Sequence, residues 1–301
     1  MSLVNTAIIG CGRMGRERAR SLQALGHRIA SVFDTDALRA NELASKYNAQ
    51  VAPDAQACLD HIDTVFLCTA PGCRDGVDVA AIARGVPIYV EKPIAVSLEH
   101  AAPALAQLEK TPVRNGVGYM NRYRSSVRLA RDILQSAEII GFSAHWISRR
   151  YNVPWWTDPK LSGGPHNEQA THLFDLCRYL CGEITDLKTI FHGNSQAATI
   201  MRLESGAPGT LFYSCDGSGK DIGIRVFTTK GSLALTGWDF RLTFNEIDQR
   251  LAPDAEEDIF LIETRCFLNG DVACDFPEAA RTQALLDRAN AQQGESGIVR
   301  Q

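Results

Sequence analysis

Residues 10–15 read Gly-Cys-Gly-Arg-Met-Gly, directly after the apolar run Thr6-Ala-Ile-Ile9 and directly before a helical pattern closed by Gly26. Few short features limit a fold more. Gly10 permits a tight strand-to-helix turn, Gly12 lets the backbone approach an anion, and Gly15 lets the helix pack against the strand. The helix start adds unpaired N–H groups and the positive end of a dipole. The segment therefore asks for a strand, a crossover helix and a parallel neighbouring strand.

The next hundred residues repeat that unit. Apolar runs at 29–33, 50–52, 64–69, 87–91 and 116–119 alternate with helical patterns at 37–47, 55–61, 75–84 and 98–108. The runs Ala-Ile-Ile and Val-Phe-Leu are apolar at every position, as a strand covered on both faces requires. The prediction is an α/β protein whose residues 1–120 form a doubly wound parallel sheet. After a helix at 125–135 the texture changes to two-residue alternation, at 139–148, 186–192, 197–203, 210–214, 223–229, 232–235 and 240–244. Turns such as Glu-Ser-Gly-Ala-Pro-Gly join these strands, one helix at 167–181 interrupts them, and another at 277–292 follows. Residues 121–301 are thus expected to form an α+β domain on a mostly antiparallel sheet.

Composition removes whole classes of function. With 31 Lys+Arg against 35 Asp+Glu the net charge is −4, the wrong sign for a nucleic-acid partner. The hydrophobic share of 45% and charged share of 22% are those of a globular chain. No run approaches the roughly 18 consecutive apolar residues of a spanning helix, and the start carries no signal-peptide pattern. No membrane partner and a cytoplasmic location are expected. The nine cysteines lack a CxxC and mostly fall in apolar segments, which fits reduced thiols. His166, Glu168, His172, Cys177 and Cys181 match no usual zinc spacing, so no metal is assigned.

Asp34 stands 19 residues after Gly15, at the end of the run Ser31-Val-Phe. There a carboxylate accepts both ribose hydroxyls of an adenosine and repels a 2′-phosphate, so NAD is favoured over NADP. Arg39 is the nearest group that would suit a 2′-phosphate. Of the arginines at 13, 16, 18 and 20, Arg13 beside the loop is a phosphate candidate with Met14, and the other three read as a solvated helix face.

Glu91-Lys92-Pro93 ends the fifth run, and ligands of such sheets bind outside the carboxyl ends of the strands. Lys92 is therefore a catalytic candidate, its backbone restricted by Pro93. Downstream, Ser162-Gly-Gly-Pro-His-Asn-Glu168-Gln-Ala-Thr-His172 starts flexibly and continues as a helix. Glu168 and His172, four apart, share a helix face, where a carboxylate can orient an imidazole that exchanges a proton with a hydroxyl. Asp175 is an alternative orienting group. Trp155 and Trp156 either stack on a sugar face or fill the domain junction. Asn121, at the head of the second domain, is a further substrate candidate.

These motifs, taken in order, resemble the Gfo/Idh/MocA oxidoreductases. The resemblance covers essentially the whole chain, through Ala7-Ile-Ile-Gly-Cys-Gly-Arg-Met-Gly15, Leu67-Cys-Thr-Ala-Pro71, Tyr89-Val-Glu-Lys-Pro93, Gly118-Tyr-Met-Asn-Arg-Tyr123 and Gly163 to Asp175. It implies an N-terminal Rossmann domain that binds NAD, with Thr69, Pro71 and Glu91 lining the cofactor cleft. It also implies a C-terminal substrate domain whose open sheet packs against another copy, as a homodimer or homotetramer. Lys92 and His172 become the catalytic pair, with Glu168 where the family usually has aspartate. The reaction implied is hydride transfer between nicotinamide and a secondary alcohol or ketone of a sugar, cyclitol or related polyol. A non-catalytic nucleotide sensor on the same fold is the alternative.

Overall fold

The computed structural model describes residues 3–245, 247, 248 and 258–293. They divide into two compact units, one of residues 3–120 with 258–280, the other of 121–248 with 281–293.

The first unit runs β1 (Asn5–Ile9), α1 (Arg13–Ala24), β2 (Arg28–Phe33), α2 (Ala37–Tyr47), β3 (Gln50–Val51), β4 (Thr64–Leu67), α3 (Val77–Ala83), β5 (Ile88–Val90), α4 (Leu98–Lys110) and β6 (Asn115–Val117). Among the described residues the sheet order is β3-β2-β1-β4-β5-β6, and every pairing is parallel. Alternate side chains feed two cores. Ala7, Ile9, Val65, Leu67, Ile88 and Val90 enter one, while Ile8, Val32, Phe66 and Tyr89 enter the other. That division explains why Ala7-Ile-Ile9 and Val65-Phe-Leu67 carry no polar position, since both faces are covered.

The second unit runs α5 (Ser125–Gln135), β7 (Ile139–Arg149), α6 (Pro159–Ser162), α7 (Thr171–Cys181), β8 (Ile184–His192), β9 (Gln196–Leu203), β10 (Pro208–Ser214), β11 (Asp216–Thr228), β12 (Gly231–Thr236), β13 (Arg241–Phe244) and β14 (Ile247–Asp248). Its order is β14-β13-β12-β11-β7-β10-β9-β8, antiparallel except where β10 pairs with β7 in parallel. One sheet face shares a core with α5 and α7. The other leaves Ile190, Ile200, Phe212 and Phe227 exposed.

Two expectations need correction. Residues 258–280 belong to the first unit rather than to the C-terminal domain, and they include a helix, α8 (Ile259–Asn269), that periodicity did not signal. Its sequence Ile-Phe-Leu-Ile-Glu-Thr-Arg-Cys-Phe-Leu-Asn shows no clean apolar stripe, yet its ends are marked. Asp258 accepts hydrogen bonds from the backbone N–H groups of Phe260 and Leu261, and Gly270 closes the helix at φ +86°. The last helix, α9 (Phe276–Asn290), begins in the first unit and ends in the second.

Arg18, expected on a solvated face, is fully buried. The spacing 15, 18, 19, 22 puts it on the helix face that carries Gly15, Ala19 and Leu22. Its five N–H groups meet Glu91 at 2.8 Å, Tyr89 Oη at 2.8 Å, Glu263 at 2.6 Å, Thr264 Oγ1 at 3.1 Å and the Phe260 carbonyl at 3.4 Å. One guanidinium so joins α1, β5 and α8. Burial pushes the Glu263 carboxyl up, against the pull of the Arg18 cation.

Arg18→Met should leave Glu91 and Glu263 buried without their cation and cost about 3–5 kcal/mol. Urea unfolding followed by circular dichroism measures this. A midpoint equal to wild type would show that the pairing does not hold the unit together.

Candidate functional site

The carboxyl ends of β1, β2, β4 and β5 deliver the loop at 10–15, Asp34, Thr69 and Lys92 to one edge of the first sheet. The backbone amide of Gly10 donates to the Phe33 carbonyl at 2.8 Å, and Gly10 adopts φ +94°. A Cβ there would meet the Cys68 backbone at 2.7 Å, and one at Gly15 would meet the Gly10 carbonyl oxygen at 2.0 Å, so both positions admit only glycine. Gly12 differs, because nothing lies within 4 Å of where its Cβ would be. It caps α1 with no side-chain hydrogen bond to the helix start. Open space above unpaired helix amides is what an anionic phosphate needs. Arg13 is exposed and Met14 half-buried beside it.

Asp34 holds this loop in shape. One carboxylate oxygen accepts from the Cys11 amide at 2.7 Å and the other from the Asp36 amide at 2.8 Å. Arg39 is paired with Asp36 at 3.2 Å on the surface. Burial, helped by Asp34, pushes the Cys11 thiol up to about 12, which keeps a reactive thiolate out of the loop. Thr69 Oγ1 is buried without a hydrogen-bond partner, and Pro71 is buried two residues on. A partnerless hydroxyl on this edge, with the cradle over Gly12, fits a dinucleotide.

Glu91 is held by two arginines. Its carboxylate accepts from Arg18 and its carbonyl from Arg74.

In the second unit, residues 166–170 form a π turn that runs directly into α7, where a single α-helix from 167 is predicted by the sequence. Such wide turns concentrate at functional sites. Here all five residues are buried, four of them polar. Asn167 donates to the Ser162 carbonyl at 2.9 Å and accepts from Gln283 at 2.8 Å. Gln169 Oε1 accepts from Ser148 at 3.1 Å and from Tyr213 at 2.9 Å. Glu168 Oε2 accepts from Trp156 Nε1 at 3.0 Å.

The burial of Trp156 speaks against a sugar-stacking role. The indole is fully buried and anchors Glu168, so it offers no face to a sugar. Trp155 is half-buried against the same core. His172 stacks on Trp146, with ring centroids 5.3 Å apart and planes 9° from parallel. Trp146 went unnoticed in the sequence, although its place in the alternation 142, 144, 146 marks the inward face of β7. Asp175, the alternative orienting group, sits in a buried pair with Arg122, at 2.7 Å from Nη2 and 3.0 Å from Nε. Asn121 is buried at the head of the unit and accepts from Arg124 Nε at 3.0 Å.

His166 packs edge-on against Phe174, Phe191 and Tyr213. Its Nδ1 is 2.8 Å from Asn290 Oδ1, and burial pushes the imidazole down to about 4 from an ordinary 6.5. Above pH 6.5 the folded and unfolded chains both keep it neutral. Between about 6.5 and 4 only the unfolded chain takes up the proton, so stability falls as pH falls, by about 3 kcal/mol at the lower end. His166→Phe should flatten urea midpoints measured across that range relative to wild type. An unchanged pH slope would refute the assignment.

Two models of one family cover most of the chain. The oxidoreductase family with an NAD-binding Rossmann fold matches residues 4–119, and the GFO/IDH/MocA C-terminal domain matches residues 127–234. The scyllo-inositol 2-dehydrogenase (NAD(+)) of Bacillus subtilis is 29% identical over 252 residues, 76% of this chain and 73% of that protein. Among solved structures, levoglucosan dehydrogenase in complex with NADH and levoglucosan superposes with a TM-score of 0.86 at 18% identity, covering 98% of both chains. The WlbA dehydrogenase of Bordetella pertussis, in complex with NADH and UDP-GlcNAcA, gives 0.85 at 17% identity, over 97% of this chain and 96% of that one. The chain belongs to the GFO/IDH/MocA oxidoreductase family, with the family's NAD-binding Rossmann fold in its first unit and its C-terminal domain in the second.

Proposed function

We propose that this chain is an NAD-dependent dehydrogenase that interconverts a secondary alcohol and the corresponding ketone on a sugar, cyclitol or related polyol. One observation carries the reading. An open phosphate cradle, the Asp34 carboxylate, a partnerless threonine hydroxyl and Lys92 converge on one edge of a single parallel sheet. The loop amides and Thr69 would hold the dinucleotide, and Asp34 would accept its ribose hydroxyls. NAD bound there supplies a hydride acceptor for the carbinol carbon.

The chain's own groups manage the proton. His172, with its ring plane set by Trp146, takes the hydroxyl proton as general base. Lys92 hydrogen-bonds the alcohol oxygen and stabilises the charge that grows on it. Glu168, with one oxygen fixed by Trp156, orients the imidazole or the substrate. Relatives named for scyllo-inositol and levoglucosan support a polyol or sugar as substrate.

Lys92→Ala and His172→Ala should each lower kcat by about 10²- to 10⁴-fold on the best substrate of a polyol panel monitored by NADH absorbance. NADH binding, titrated by fluorescence, should change little, because neither residue is assigned to the adenosine or the pyrophosphate. A Lys92→Ala variant that keeps more than about a tenth of kcat would remove Lys92 from the mechanism.

The same reading includes self-association in the cytoplasm, as a homodimer or homotetramer. Ile190, Ile200, Phe212 and Phe227 lie on the sheet face opposite α5 and α7, with 45%, 62%, 42% and 38% of their surfaces exposed. Four large apolar side chains exposed on one sheet face are typically covered by a partner. Light scattering should show a dimer or tetramer at micromolar concentration, and Ile200→Lys with Phe212→Lys should dissociate it. A monomeric wild-type chain would overturn the assignment.

A further inference from the structure

The turn after β4 carries a second buried arginine of the first unit, with a different set of partners. Arg74 follows Pro71-Gly72-Cys73 in a loop held by two backbone bonds, Cys73 N–H to the Ala70 carbonyl and Val77 N–H to the Arg74 carbonyl, each 2.9 Å. Its side chain runs back under the end of β5. There Nη2 donates to the Glu91 carbonyl at 2.8 Å and to the Pro93 carbonyl at 2.8 Å. Those two carbonyls flank Lys92. We propose that Arg74 is a positioning residue, which fixes the direction of the Lys92 side chain by clamping the backbone on both sides of it.

Geometry and chemistry both favour this over a packing role. A guanidinium nitrogen presents two N–H groups in a fixed plane, so one nitrogen serves two acceptors at a set separation. Being charged, those bonds are stronger than neutral ones. Lys92 itself is a point charge on a flexible four-carbon stem, and the backbone at its root sets where that stem starts. Arg74 is 7% exposed, and its Nε is buried without a partner. The carboxylate of Glu91 is already bonded to Arg18, and burial draws the Arg74 guanidinium down from its ordinary range. Burying a cation with an unmet N–H is an unfavourable way to fill space that an apolar side chain would fill at lower cost.

The inference rests on Lys92 being catalytic, and the test separates the two claims. Arg74→Met, Arg74→Lys, Lys92→Ala and the Arg74→Met/Lys92→Ala double variant are compared by turnover and by NADH fluorescence titration. Reductive ¹³C-methylation adds an NMR readout of Lys92 that needs no turnover, the signal being assigned by its loss in Lys92→Ala. Arg74→Met should lower kcat by about 10- to 100-fold, the range for a misplaced catalytic group, with NADH binding unchanged. It should also shift or broaden the Lys92 signal while the other lysine signals stay in place. Arg74→Lys, which keeps the charge and reaches one carbonyl, should lie between Arg74→Met and wild type. Added to Lys92→Ala, Arg74→Met should cost less than about twofold more, because groups that act as a unit are non-additive.

An unmoved Lys92 signal, or a full additional loss in the Lys92→Ala background, would overturn the proposal. If Arg74→Met does not fold, the same two readouts on Arg74→Lys decide, and a wild-type Lys92 signal there overturns it. Full turnover in Lys92→Ala would instead reject the catalytic reading of Lys92, whatever the NMR signal does.

Discussion

Five donors on one fully buried guanidinium hold the first unit in its working shape. Arg18 ties the helix that starts at the phosphate cradle to the strand that ends at Lys92, and both to α8. Two carboxylates share this one buried cation, and burial raises the Glu263 carboxyl against its pull. Such a cluster stabilises only when it is complete, since removing one member strands the others. The α1 helix can therefore neither rotate nor slide without breaking bonds at the root of Lys92. The rigidity of the cradle and that of the strand end are one property.

The second unit reaches rigidity by a different route. Its sheet is held by side-chain alternation, with Leu211, Tyr213, Met201 and Leu203 turned toward α5 and α7. Most polar groups of the π turn find partners, in Ser148, Tyr213, Ser162, Gln283, Trp156 and Asn290, while Gln169 Nε2 and His166 Nε2 are buried without one. A buried polar network that is nearly complete locks one arrangement, because any slip leaves a donor or acceptor unmet. His172 leaves that network at the start of α7 with its ring plane set by Trp146. A fixed ring is what an imidazole needs to meet a proton in a defined direction.

Much of this was legible before any coordinates, for reasons that can be named residue by residue. The alternation of Ile8 with Ala7 and Ile9 between two cores is written in the wholly apolar stretch Ala7-Ile-Ile9. The three loop glycines stand where a Cβ would strike backbone or where open space is needed. Arg18 was misread because its charge outweighed its spacing, although positions 15, 18, 19 and 22 form one helix face. The helix α8 was missed because a helix apolar on several sides has no period to detect, while its cap residues Asp258 and Gly270 were present in the sequence.

The sequence by itself determined most of the elements and the parallel sheet, α8 and the π turn excepted, since these follow from periodicity, glycine placement and chain connectivity over a few tens of residues. It also marked Asp34, Lys92, Glu168 and His172 as candidates for binding and chemistry. Tertiary structure alone decided which polar groups face one another. Arg18 meets Glu263 across 245 residues of sequence and Gln283 meets Asn167 across 116, while Trp156 reaches Glu168 rather than a ligand. Pairings of that kind depend on where two distant backbones come to lie. Local propensity holds no record of them, because a buried charge is tolerable only once its partner has been brought to it.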